Sequence, residues 1–186
     1  MIVSPIGFVR NAVKAQLADA VKGLNANLVT YSAAYGVPAW AFDFGAGSVN
    51  FFEANVDYGT SEETDIPQLN MLTLYGGRIA SFRDGNQRQM GVSFSGTVEM
   101  QCDMYVGALG ESIQKFEAYV DTATAAMLAT MNNVNNQAGL NAADASTRSG
   151  KVYNMELDVV PAKCQQDGEN WIVPIRFSMG FGVVIP

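Results

Sequence analysis

The chain lacks the side chain on which most acid–base and nucleophilic chemistry depends. Its 186 residues include no histidine, which is the commonest general base and the commonest metal ligand. Ser-His-Asp and Cys-His nucleophile systems are therefore excluded in their usual form. We expect no catalytic residue, no cofactor and no metal ligand, and hence a protein that is not an enzyme.

Paired carboxylates are the remaining candidates for acid–base chemistry or cation binding. Glu62 and Glu63 are adjacent in a polar stretch, which favours a solvated pair. Glu156 and Asp158 share one face of a predicted strand and could bind a cation, although Ca²⁺ takes about six to eight oxygen ligands. A small ligand-binding or carboxylate-dependent enzyme domain therefore stays as the alternative from a different functional class.

Neither the glycine-rich segments nor the cysteines form a recognisable site. Gly76-Gly77 lacks the GxxxxGK[ST] pattern of a phosphate loop and the helix that should follow it. Gly45–Ser48 is likewise followed by no helical pattern and no lysine. Cys102 and Cys164 fit no metal-ligand spacing, so we expect two thiols in a reducing cytoplasm.

Charge is scarce and unevenly distributed. The formal net charge is −7 and only 16% of residues are charged, against about 25% in typical soluble domains. An acidic chain is a poor general binder of nucleic acid, whose affinity comes largely from Lys and Arg. Low charge fits either a neutral polar surface or a surface hidden against partners.

One long stretch, from Lys22 to Arg78, has no basic residue between its ends. It favours a solvated acidic loop, or a surface that repels DNA or meets a basic neighbour. One predicted turn carries three arginines, Arg78, Arg83 and Arg88. Their side chains are either solvated or form salt bridges to a neighbour's acidic segment. The acidic residues of the stretch are Asp43, Glu53, Asp57, Glu62, Glu63 and Asp65.

Two helices are predicted from apolar residues at helical spacing. The first begins with Ser4 as its cap and Pro5 at its first position, and it ends around Gly23–Asn27. Its apolar stripe is Ile6, Val9, Val13, Leu17, Ala20, Val21 and Leu24. The second helix spans about 110–132.

Strands are predicted from alternating apolar and polar residues. Residues 69–75 are almost continuously apolar, which favours a strand buried on both faces. The alternation over 89–102 predicts one buried and one polar face, and Asp84-Gly85-Asn86 predicts a turn before it. Residues 153–159 and 171–181 predict a closing hairpin, in which Pro174 favours an edge position or a bulge.

The aromatic-rich composition of residues 33–66 predicts a long extended arm. Its aromatic residues pack either on the protein's own core or on a neighbouring subunit. The predicted subunit interface comprises Trp40, Phe42, Phe44, Phe51, Phe52, Glu62, Glu63, Asp65, Arg78, Arg83 and Arg88.

The elements together predict one structural domain over 1–186, with an extended arm at 33–66 and a polar loop at 132–150. We expect an α+β fold: an antiparallel or mixed sheet with two main helices on one face, a long extended insertion and a C-terminal hairpin. The N-terminus lacks the pattern of a signal peptide. No apolar stretch is long enough to cross a membrane, so we expect no membrane partner.

This order of elements resembles the tail terminator, or tail completion, proteins of tailed bacteriophages. The resemblance covers an N-terminal amphipathic helix, long strands around 69–75 and 88–105, a helix at 110–132 and a closing hairpin. It implies a homo-oligomeric ring, commonly a hexamer, that caps the tail tube and joins it to head-side neck or connector proteins. DNA would pass through the lumen without specific binding, and no cofactor would be needed.

The resemblance also implies a location in the virion, in the tail or neck, after synthesis in the host cytoplasm. The long arm at 33–66 departs from the compact members of that family. A tail tube protein or a head–tail connector protein is the alternative within the virion. Copy number separates these classes, because a terminator contributes one ring and a tube contributes hundreds of subunits.

Overall fold

The computed structural model describes residues 4–53, 70–81, 94–109, 113–132, 151–161, 163–167 and 170–185. Its helices are α1 (Pro5–Leu17), α2 (Leu24–Tyr35) and α3 (Ile113–Asn132). Its strands are β1 (Phe51–Phe52), β2 (Met71–Ser81), β3 (Phe94–Leu109), β4 (Lys151–Pro161), β5 (Gln165–Asp167) and β6 (Asn170–Ile185). The predicted α+β class is confirmed.

The strands form one mixed sheet in the order β1-β2-β3-β6-β4. β1 runs parallel to β2, whereas β2, β3, β6 and β4 are each antiparallel to the next. Short β5 pairs with the beginning of β6. The long β3–β6 ladder, from the pair Phe94↔Ile185 to the pair Leu109↔Asn170, forms the centre of the sheet.

Alternating burial gives the sheet two different faces. In β3, Val98 and Met100 are buried, whereas Glu99 between them is exposed. The predicted alternation of β3 is thus confirmed over its described part. At Met71–Leu74 all four residues of β2 are buried, which confirms the strand buried on both faces.

Helices α1 and α3 cover the apolar face of the sheet. The approach of α1 depends on Gly76, where an added Cβ would lie 2.6 Å from Cγ2 of Ile6. α2 packs mainly on α3, and Asn27 Nδ2 donates a 2.9 Å hydrogen bond to Thr130 Oγ1. The predicted second helix is confirmed over Ile113–Asn132, and residues 110–112 lie outside the described residues.

The prediction of one long first helix is wrong, because residues 18–23 form a turn between α1 and α2. The Asp19 carboxylate accepts hydrogen bonds from the backbone N–H groups of Val21 and Lys22, each at 2.8 Å. An added Cβ at Gly23 would lie only 2.3 Å from the Asp19 carbonyl oxygen, so the tight turn requires glycine there. Val21, predicted to be in the core, is 80% exposed.

The N-terminus of α1 differs from prediction in one detail. Pro5 occupies the start of the helix as expected, but the Ser4 side chain makes no capping hydrogen bond. The Ser4 carbonyl oxygen accepts from the Phe8 N–H at 2.9 Å instead.

The predicted arm begins later than expected, because α2 continues to Tyr35 and ends at Gly36 with a φ of +70°. Residues 37–50 are irregular, and the short parallel strand β1 follows. The rest of the predicted arm, the polar loop after Asn132 and the turn at Asp84–Asn86 lie outside the described residues.

Pro174 occupies a local edge within an interior strand. On its β4 side the register ends at Pro161↔Ile175, and pairing resumes in β5 at Gln165↔Ile172. Pro174 falls between these two stretches, while on its other side it pairs with Tyr105 of β3. Because β6 lies between β3 and β4, the predicted edge position is wrong for the strand, and Pro174 lies instead at a local gap in the pairing on its β4 side.

Candidate functional site

Four aromatic residues in the described part of the arm pack on the protein's own core. Phe42 is 3% exposed and Phe51 is 5% exposed. Phe44 lies between them, with ring centroids 6.4 Å from Phe42 and 4.9 Å from Phe51. Trp40 stacks on Tyr119 of α3 at a centroid distance of 5.7 Å. Of the two packing partners that the sequence allowed, the structure shows the protein's own core.

Two asparagine side chains attach this segment to the fold. The Asn25 amide donates to the Phe42 carbonyl oxygen at 2.8 Å and accepts from the Phe42 N–H at 2.9 Å. The Asn50 amide accepts from the Asp43 N–H at 2.9 Å and donates to the Ala41 carbonyl oxygen at 3.0 Å. These bonds satisfy backbone groups that have no strand partner.

The first carboxylate after β1 is neutralised within the same chain. Glu53 forms ion pairs with Lys14 and Arg10 of α1. The Lys14 ammonium also lies 5.4 Å from the centre of the Phe51 ring, where a cation–π contact adds to the attachment. Glu53, the second acidic residue of the stretch, therefore faces α1.

The predicted interface residues consequently have different environments. Phe42 and Phe51 are buried and have no surface to offer a neighbour, whereas Trp40, Phe44 and Phe52 are half-buried. Arg78 of β2 is exposed. The remaining predicted interface residues, Glu62, Glu63, Asp65, Arg83 and Arg88, lie outside the described residues.

A polar groove of about 340 Å³ runs across the sheet face that the helices leave open. Glu99 of β3 and Glu156 of β4 both pair with Gly180 of β6, so two carboxylates flank a position without a side chain. In the next row, Asp158 pairs with Ser178. The arrangement gives this face a negative strip.

The carboxylates of the groove do not make a metal centre. Within the described residues, no group of three or more Cys, Asp and Glu side chains is placed to hold a metal ion. Glu156 and Asp158 lie on the same strand face, as predicted, and both are exposed. Their arrangement suits long-range repulsion of anions or contact with a basic surface.

An ion pair between a nearly buried carboxylate and a half-exposed guanidinium joins the central strands on the same open face. Arg176 donates from Nε and Nη2 to the two oxygens of Asp103, each at 2.8 Å. The Tyr75 hydroxyl donates to Asp103 Oδ2 at 3.1 Å. Desolvation, followed by the negative charge and hydrogen bond of Asp103, raises the pKa of Tyr75 to about 12, and hydrogen bonding to Asp103 raises the pKa of Arg176.

Sequence reasoning did not identify this network. Its only local signal is an acidic residue in the middle of the long strand β3. The partner lies 73 positions away in the sequence, and only the β3–β6 register, which pairs Asp103 with Arg176, brings them together.

The two thiols differ in burial. Cys102 is fully buried, and this burial raises its pKa, so it remains a protonated apolar side chain. Cys164 lines a cleft of about 410 Å³ between α3 and the end of β4, and partial burial raises its pKa as well. Both cysteines are thiols, as expected.

The strand pairing of the two outer strands is one-sided over most of their length within the described residues. Among the described residues, β4 pairs only on its inner side, with β6. β1 covers β2 only at Leu72 and Thr73, so the outer edge of β2 is unpaired from Leu74 to Ser81 within the described part of the chain. Such edges are templates for pairing with another chain.

Comparison with protein-family models gives no match for this chain, and comparison with curated proteins gives none either. No helix within the described residues is long and apolar enough to span a membrane.

Proposed function

We propose that this protein is a structural virion subunit that forms a ring, of the tail terminator or neck type, which caps a phage tail tube and joins it to the head-side connector. One observation supports the proposal: among the described residues, no strand pairs with the outer side of β4 at one side of the sheet, or with the outer side of β2 beyond Leu72 and Thr73 at the other. Covering both edges takes a neighbour on each side, which is the situation of a subunit in a ring.

Opposite edges favour a head-to-tail contact. A contact between two different surfaces of the same chain repeats from copy to copy, and it closes into a ring when the rotation permits. A contact between two identical edges would stop at a dimer and leave the other edge of each copy unpaired. The shape of the subunit therefore favours a closed ring of several copies.

The charge of the open face suits the wall of a lumen through which DNA passes without being bound. It carries Glu99, Glu156 and Asp158 along one groove, and the chain as a whole has a net charge of −7. Phosphates are repelled by such a face, whereas nucleic-acid affinity requires Lys and Arg. A lumen lined by this face would let a duplex slide through.

A tail tube or head–tail connector subunit would use the same two edges. Quantitative mass spectrometry of the particle that contains the chain separates the classes. One ring of copies per particle supports the terminator, and hundreds of copies support the tube.

An enzyme or ligand-binding domain remains the alternative of a different class, and the polar groove is where it would act. The double variant Glu156→Gln and Asp158→Asn tests it directly. Loss of a measured turnover with unchanged folding would overturn the structural proposal.

The main test is assembly. Size-exclusion chromatography with light scattering and negative-stain electron microscopy should show rings, either of the protein alone or after mixing with purified phage tail tubes. A chain that remains monomeric at all concentrations and also fails to join the tubes would refute the proposal.

A further inference from the structure

We infer that the cleft beside α3 is a docking site for a segment of another protein that presents a large apolar side chain next to a lysine or arginine. The cleft has a volume of about 410 Å³. Phe116 and Val120 of α3 line one side of it, and Pro161, Cys164 and Val173 line the strand side. The inference does not rest on the proposed ring and concerns a different surface of the subunit.

The cleft lies where β4 leaves the sheet. The register of β4 with β6 ends at Pro161↔Ile175, and pairing on this side of β6 resumes only at Gln165↔Ile172 in β5. Val173 falls in the gap between these two pairs, so no strand lies beside it on this side among the described residues. The interruption of the ladder therefore leaves the space that the cleft occupies.

The floor of the cleft is apolar. Phe116 is 2% exposed and Val173 is 3% exposed, and half-buried Val120 lies one helical turn after Phe116. An apolar group placed against these side chains is removed from water, which is favourable in proportion to the area buried. The polar lining is limited to the Cys164 thiol and two carboxylates, and few polar groups within an apolar lining are typical of a binding site.

The cleft is open along one side, because Glu117, Asp121 and Pro161 at its margin are all exposed. A small-molecule pocket encloses about 70–90% of its ligand, whereas an open cleft leaves one side of a ligand in water. A side chain that belongs to a partner protein has its open side covered by the partner's own surface. The shape of the cleft therefore favours a protein segment over a small molecule.

The margin of the cleft favours a positive neighbour for that side chain. Glu117 and Asp121 are four residues apart, so both carboxylates lie on the same side of α3. Neither forms an ion pair within the described part of the chain. Lys163 precedes Cys164 and is exposed, but it does not line the cleft. A lysine or arginine of the partner would meet this pair of carboxylates, whereas an acidic residue would be repelled.

The native thiol of Cys164 provides the measurement. The capped dipeptide acetyl-phenylalanyl-lysine amide is the probe, and neutral iodoacetamide modifies the thiol at a rate followed by mass spectrometry. An occupied cleft shields Cys164, so the rate should fall and saturate as the dipeptide is added, while buried Cys102 stays unmodified throughout. Alanine in place of the phenylalanine of the probe should weaken its binding about tenfold, and glutamate in place of the lysine about fivefold.

The double variant Glu117→Gln and Asp121→Asn tests the charge of the margin. Both side chains are exposed, so the variant should fold, as circular dichroism verifies. It should bind the lysine dipeptide about fivefold more weakly than the parent protein does, and no better than it binds the glutamate dipeptide. The matched control, Glu156→Gln with Asp158→Asn, removes two exposed carboxylates from the open face of the sheet and should leave the shielding of Cys164 unchanged.

The same rates show when the inference is wrong. If no dipeptide shields Cys164 in a saturable way, the cleft is not a docking site. Equal shielding by the lysine and glutamate dipeptides would overturn the selection by charge. A rate that falls with protein concentration alone would show that a second copy of this chain occupies the cleft, and would overturn the inferred partner. Ring assembly is measured separately, so each of these results leaves the proposed function standing.

Discussion

The ion pair between Asp103 and Arg176 provides the sharpest stability prediction. The Asp103 side chain is 10% exposed, whereas that of Arg176 is 54% exposed. Replacement of Arg176 by Leu leaves a nearly buried carboxylate without its cation, while the Tyr75 hydroxyl still donates to it. We expect a loss of about 3 kcal/mol, the low end for a broken buried pair, because the solvated guanidinium contributed less than a buried one.

Replacement of Asp103 by Asn should cost less. The amide oxygen keeps one hydrogen bond to Arg176, and the guanidinium is already exposed enough to be solvated. Loss of one charge-assisted bond corresponds to about 2 kcal/mol. The double variant should cost about 3 kcal/mol rather than the sum of about 5, because either change alone already breaks the pair.

Urea unfolding followed by circular dichroism measures these differences, at one protein concentration since assembly shifts apparent stability. Glu99→Gln, on the same strand face but exposed, is the control and should remain within about 0.5 kcal/mol of the parent protein. The reasoning is refuted if each single variant costs less than about 0.5 kcal/mol, or if their effects add in the double variant.

Three further predictions concern Tyr75, Asn25 and the two cysteines. The folded-state pKa of Tyr75, about 12, exceeds its ordinary value of 10.0, so the contribution of Tyr75 to stability is complete below pH 10 and declines as the pH rises toward 12. Tyr75→Phe should therefore reduce the loss of unfolding free energy between pH 10 and 12. An unchanged dependence of the unfolding free energy on pH in this variant would contradict the prediction. Asn25→Ala removes both hydrogen bonds to the Phe42 backbone and should cost about 1–2 kcal/mol in thermal unfolding, whereas an unchanged midpoint would show that the segment does not depend on this amide. A thiol reagent should modify Cys164 in the folded protein but Cys102 only on unfolding, and equal rates at the two would disprove the burial argument.

The elements that the sequence predicted well are those whose burial repeats locally. β3 alternates residue by residue, so the side of the sheet that each residue faces can be read without knowing its partners. The same holds for α3, in which Phe116, Ala123 and Met127 recur at helical spacing and are buried. Periodicity of this kind depends only on which side of the element is covered.

The turn between α1 and α2 shows where periodicity misleads. Val21 continues the apolar stripe, yet the chain leaves the helix before it. The break comes from a side chain that competes for backbone N–H groups, Asp19, and from the close approach at Gly23. In the sequence, the end of α1 is indicated only by Asp19 four residues before Gly23, whereas the apolar spacing predicts that the helix continues.

The aromatic arm shows what a sequence leaves undecided. Its composition allows packing on the protein's own core or on a neighbour, because burial of an aromatic ring is favourable in either place. Asn25 and Phe42 meet through hydrogen bonds that hold the segment on the protein itself. No spacing in the sequence predicts that pair.

The sequence by itself determined the α+β class, the two faces of the long strands and the lack of histidine chemistry, because composition and local period carry that information. The tertiary structure decided that Phe42 and Phe51 are buried, that Asp103 meets Arg176, and that β2 and β4 lie on opposite sides of the β3–β6 pair. Each of these depends on register between residues far apart in the chain. Register is set by the packing of the whole sheet against its helices.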